Sequence, residues 1–142
     1  MPTLPSSLLQ RFYERNSLCN NDSGYELTIR NSVAPSTLLG VGPLVIDGLT
    51  VGPEQLECRL ERPPVRHGRQ PEPLVRAGDA ISPAKALRFD LDVVLRIVVY
   101  GQRLPAGEHR FALHLRTKEV GDIIVEASDH LAEELTPNGS VR

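Results

Sequence analysis

What most constrains this chain is its punctuation. Twelve prolines and eleven glycines in 142 residues cut the apolar pattern into runs mostly too short for ordinary helices, which average about 11–12 residues. Most of the surviving runs alternate with period two, the mark of strands with one wet face. Tyr25, Leu27 and Ile29 alternate with Glu26, Thr28 and Arg30. The run from Val33 to Leu39 is broken at Pro35, and Leu44 to Asp47 gives a second short strand. Asp47-Gly48 ends it with a dipeptide that favours a tight hairpin turn. Leu56, Cys58 and Leu60 form a third alternating set, closed by Pro63-Pro64.

The segment from Phe89 to Tyr100 reads as one long strand. Its odd positions, Phe89, Leu91, Val93, Leu95, Ile97 and Val99, are apolar, and on the even side Val94, Val98 and Tyr100 add a second apolar face. The runs His109 to Arg116 and Asp122 to Ala127 can be paired directly. A turn near Glu119, closed by Gly121, sets Leu115 opposite Ile123, Leu113 opposite Val125 and Phe111 opposite Ala127. The same register sets Arg116 against Asp122, so a one-residue slip would break both the apolar and the charged pattern. Six or seven such strands predict an all-β fold, a two-sheet antiparallel β-sandwich, with a partly open barrel as the alternative. Phe111, Leu113, Leu115, Ile123 and Val125 are expected to share a core with Phe89, Leu91, Val93, Leu95 and Ile97.

The chain divides into three segments. Residues 1–24 read as an N-terminal arm with a short helix, in which Leu8, Leu9, Phe12 and Tyr13 make an apolar stripe from a Ser7 cap to about Arg15. Residues 25–135 form the β-sandwich domain, and residues 136–142 a flexible C-terminal tail. Within the domain, the stretch around Pro63, Pro64, Pro71 and Pro73 reads as a stiff surface loop. It carries Arg62, Arg66, Arg69 and Arg76, whose planar guanidiniums could grip an anion.

Charge narrows the partners. Sixteen Lys and Arg against eighteen Asp and Glu leave a net charge of -2, which argues against nucleic acid and acidic membranes. No apolar run approaches the ~20 residues of a membrane span, and the first residues lack a basic and an apolar signal region. A soluble, cytoplasmic chain is the expectation.

The usual catalytic parts are missing. Gly40-Val41-Gly42 starts like a dinucleotide loop, but Val45 replaces the third glycine, and neither G-x-x-x-x-G-K-[ST] nor G-x-S-x-G occurs. His67, His109, His114 and His130 follow no metal-ligand spacing. The carboxylate pairs Asp90/Asp92 and Asp122/Glu126 have arginines at hand to neutralise them, and Cys19 and Cys58 read as buried free thiols. No catalytic, metal-binding or cofactor-binding residue is expected in this chain.

The succession Tyr25-Glu-Leu-Thr-Ile-Arg, Val45-Ile-Asp-Gly48 and Leu104-Pro-Ala-Gly-Glu-His109, followed by an alternating strand, resembles the small β subunits of C-glycoside deglycosidases. The resemblance spans about Ser17 to Leu131 in order of elements. It implies a non-catalytic β-sandwich chain that assembles with a larger, barrel-type catalytic subunit, which would hold the divalent metal and the acid/base residues. Two readings stand. The first is an accessory subunit of a hetero-oligomeric enzyme, docking through Val94, Val98, Tyr100, Phe12 and Tyr13, with two alternatives for that face: the N-terminal arm covering it in cis, or a second copy of the chain. The second is a stand-alone module that binds a small anionic or sugar-like ligand through Arg62, Arg66, Arg69 and Arg76.

Overall fold

The alternation of the paired C-terminal runs builds the longest hairpin of the molecule. In the computed structural model, which describes residues 10–62 and 72–132, strands β9 (Gly107–Thr117) and β10 (Gly121–Leu131) pair antiparallel. Leu115 faces Ile123, Leu113 faces Val125, Phe111 faces Ala127 and Arg116 faces Asp122, the register the sequence dictates. Arg116 and Asp122 lie 3.4 Å apart on the wet side, while Leu113, Leu115, Ile123 and Val125 are buried on the other.

The remaining strands are β1 (Cys19–Asn21), β2 (Gly24–Arg30), β3 (Ser36–Ile46), β4 (Leu49–Val51), β5 (Leu56–Glu61), β6 (Leu74–Ala77), β7 (Leu87–Phe89) and β8 (Val94–Tyr100). Together with β9 and β10 they form, among the described residues, two five-stranded antiparallel sheets. The first runs β1-β2-β8-β5-β6; the second runs β10-β9-β3-β4, with β7 also paired to β3. The inward faces of both sheets meet in one core that includes Leu27, Ile29, Leu44, Leu95, Ile97 and Leu113. The chain is an all-β sandwich.

The Asp47-Gly48 turn is the expected tight hairpin. Ile46 pairs with Leu49 across it, and φ is +51° at Asp47 and +83° at Gly48, the left-handed pair of a type I′ turn. The run from Val33 to Leu39, past Pro35, and the run from Leu44 to Asp47 prove to supply parts of one strand, β3. It crosses its glycines through irregularities between Leu38 and Gly40 and between Val41 and Leu44, the kind of bulge that lets a strand bend.

Phe89 to Tyr100 is not one strand. Leu87–Phe89 lies in the second sheet and Val94–Tyr100 in the first, and the chain changes sheets between them. The corner is built on Asn31, which is fully buried. Its amide nitrogen donates to the carbonyls of Phe89 and Ala34, both at 2.7 Å. Its backbone accepts from Asp92 N–H and donates to Val93 O. Asp92 takes φ +67° to complete the turn. Leu91 is therefore at the corner, 46% exposed, and not in the core, while Phe89, Val93, Leu95 and Ile97 are buried as expected.

The N-terminal stripe also differs from the expected helix. Ser7 to Leu9 lie outside the described residues, and the first described element is a single 3-10 turn, Gln10–Phe12. Tyr13 then bridges to Ile29, and Glu14 N–H donates to Thr28 O, so the arm runs as an irregular strand along β2. A helix of this length has too few hydrogen bonds to hold itself, and the stretch of β2 beyond its pairing with β1 offers better ones.

Candidate functional site

The outer face of the first sheet carries the apolar positions that the sequence marks for docking. Val98 on β8 lies in register between Glu26 on β2 and Glu57 on β5, with Arg96 next on the same face. Arg96 reaches Glu26 at 3.4 Å and Glu61 at 3.3 Å, and Arg59 reaches Glu57 at 2.8 Å. Long charged side chains lay their stems over apolar neighbours while keeping their heads in water. Val98 is consequently only 5% exposed, and Val94 is half-buried. Val94 and Val98 are thus largely withdrawn from solvent within their own sheet. Tyr100, 48% exposed, is the member that meets solvent. Val75 on edge strand β6, also exposed, lines with it a shallow groove of about 350 Å³ that Glu54, Glu57 and Arg76 also border.

Phe12 and Tyr13, the other expected docking residues, are spent within the chain. Both are buried. The Tyr13 ring stands edge-on to Phe111 with centroids 4.9 Å apart. Its hydroxyl donates to Asp129 on β10 and accepts from Leu18 N–H at 3.0 Å. Asp129 also accepts from Asn16 N–H at 2.8 Å. Burial, and then the bond to Asp129, push the phenol up to about 12. The arm thus joins β2 of one sheet to β10 of the other and closes the open side of the sandwich.

The arginine set is not assembled within the described residues. Arg66 and Arg69 lie outside them, Arg62 is exposed at their margin, and Arg76 gives its guanidinium to Lys85 O at 3.2 Å. Asp90 is held by Arg88 at 2.7 Å. His114 stands 3.5 Å from Asp122, and His67 lies outside the described residues. Among the described residues no three His, Cys, Asp or Glu side chains are grouped to hold a metal ion, and no helix is long and apolar enough to cross a membrane. Cys58 is buried, which pushes its thiol up to about 12. Cys19 is exposed, contrary to expectation, because it lies on the outer face of the edge strand β1.

One pairing escaped the sequence. His109, 4% exposed, meets Asp47 through Nδ1 at 2.5 Å and the carbonyl of Pro105 through Nε2 at 2.7 Å. Both ring nitrogens face acceptors, so the imidazolium satisfies the site. Burial opposes that charge, but the bonds to Asp47 and Pro105 outweigh it and raise the His109 pKa above its ordinary 6.5. The same contact lowers Asp47 below its ordinary 3.8. His109 stabilises the fold fully below 6.5 and loses that contribution as pH rises through its raised value. Asp47 contributes fully above 3.8 and loses it as pH falls through its lowered value. Removing the ring should cost roughly 1–3 kcal/mol. The melting-point gap between the parent and His109→Gln is expected to be widest between those two ordinary values and to shrink in alkali. A gap that widens in alkali would refute the ionised pair.

Sequence comparison supplies what the geometry does not. A family model described as the hydroxymethylglutaryl-CoA reductase N-terminal domain matches residues 8–132. The chain belongs to this family. The match takes in the arm and both sheets. It overturns the resemblance to C-glycoside deglycosidase β subunits. The reason is visible in the fold. Val45-Ile-Asp-Gly48 is a type I′ hairpin, and Gly107-Glu-His109 opens a strand; unrelated antiparallel sandwiches reach the same solutions. No curated protein matches the chain.

Proposed function

We propose that this reductase N-terminal-domain chain is a non-catalytic accessory module, and that the reduction of hydroxymethylglutaryl-CoA belongs to a larger catalytic unit with which it associates. The observation that carries this reading is the family match over residues 8–132, to a domain described by its position beside the rest of a reductase. Tyr100 and Val75 support it. They are exposed apolar side chains beside one groove at the β6 edge of the first sheet, framed by Glu54, Glu57 and Arg76. An aromatic side chain with a polar tip, ringed by charge, is the composition of an interface centre and its rim.

The test is Tyr100→Arg combined with Val75→Arg, examined by sedimentation with the catalytic unit. Both side chains face water in the free chain, so the double variant should melt within about 0.5 kcal/mol of the parent. The expected result is lost association with the fold intact. Retained association would overturn the placement of the docking face, and self-association abolished by the same changes would assign that face to a second copy of this chain.

A further inference from the structure

The outer face of the second sheet holds a wide open groove of about 800 Å³. Its floor includes the small side chains of Val45, Ala112 and Ser128. Val45 on β3, Ala112 on β9 and Glu126 on β10 lie in one row across the sheet, and Ser128 lies opposite Arg110 in the next. Gly48 of the hairpin turn adds no side chain at one end. That volume falls within the range of small-molecule sites, about 300–1,000 Å³.

Two arginines, Arg15 and Arg110, line this groove, and each springs from a fixed backbone. Arg110 N–H donates to Asp47 Oδ1 at 3.0 Å, and Arg110 O accepts from Asp47 N–H at 2.9 Å. Arg15 directly precedes Asn16, whose left-handed backbone (φ +65°) is tied to Asp129. Neither guanidinium has a hydrogen-bond or ion-pair partner among the described residues. Asp47 is already answered by His109, which leaves Glu126 as the one unengaged carboxylate among the groove's lining residues. Gln10 and Ser128 add neutral hydrogen-bonding groups.

We infer that this groove binds a small hydroxylated molecule bearing a carboxylate or phosphate group. The oxyanion is taken between Arg15 and Arg110, whose donors form planar forks matched to such groups. Glu126 accepts from a hydroxyl of the same molecule. The site differs from the arginine loop that the sequence suggested, and it stands whether or not the chain docks through Tyr100.

The experiment tracks the backbone amide resonances of the full chain during titration with L-malate, inorganic phosphate and glycerol. Saturable shifts at Arg110 and Ser128 with malate or phosphate, and none with glycerol, are expected; the stronger of the two anions identifies the oxyanion. Arg15→Gln and Arg110→Gln should each weaken binding by about tenfold. Arg88→Gln, whose parent side chain is engaged by Asp90, should leave it unchanged. Absence of saturation with both anions would overturn the inference. So would parental affinity in the two groove variants, provided their melts show them folded.

Discussion

Leu113→Ala is expected to lower the unfolding free energy by roughly 2–5 kcal/mol. Leu113 is buried in the middle of β9, opposite Val125 on β10 and Leu44 on β3. It thus sits where three strands of the second sheet meet the first. Removing its branched end leaves a cavity bounded by backbone that is hydrogen-bonded on both sides, and such walls collapse poorly. The loss should appear as a lower denaturant midpoint with an unchanged slope. An unchanged midpoint would mean that this row does not form the core.

Gly24→Ala is the second large effect, and its cause is backbone rather than packing. Gly24 takes φ +155°, and a Cβ built there would lie 2.1 Å from the carbonyl oxygen of Val99. The conformation alone costs a non-glycine residue roughly 1–3 kcal/mol, and the overlap cannot be relieved by rotating a side chain. Gly24 pairs with Asn21 on β1 and with Tyr100 on β8, so relief requires the two ladders to part. Faster hydrogen exchange across β1 and the end of β8, with destabilisation at least as large as that of Leu113→Ala, is expected. Gly48→Ala offers the contrast. Its site has φ +83° but nothing within 4 Å, so it should suffer the conformational cost without the collision. Equal behaviour of the two variants would contradict the assignment.

These cases show what the residues disclose. The β9–β10 register was legible because apolar and charged partners alternate within one short hairpin, and any slip violates both. The Asp47-Gly48 turn was legible because its chemistry is local. The corner after Phe89 was not. Its apolar alternation continues straight through Leu91, and the residue that breaks it, Asn31, bonds Phe89 from 58 positions away. Likewise the apolar stripe at Phe12 and Tyr13 announced burial without saying what would provide it; Asp129, 116 positions after Tyr13, decides that they close the sandwich from within. His109 and Asp47 each drew notice separately, yet only the fold brings them together. The family was illegible for a related reason, since the motifs used to judge resemblance were turn solutions shared by many sandwiches.

The proposed role of this chain is to assist a reductase without itself performing the reduction. The decisive measurement is hydroxymethylglutaryl-CoA reduction by material co-purified with the full chain from its native host, compared with the chain purified alone. Activity is expected in the co-purified material and none in the isolated chain, and material captured with Tyr100→Arg/Val75→Arg should lose it. Reduction by the isolated chain at the rate of the assembly would contradict that role.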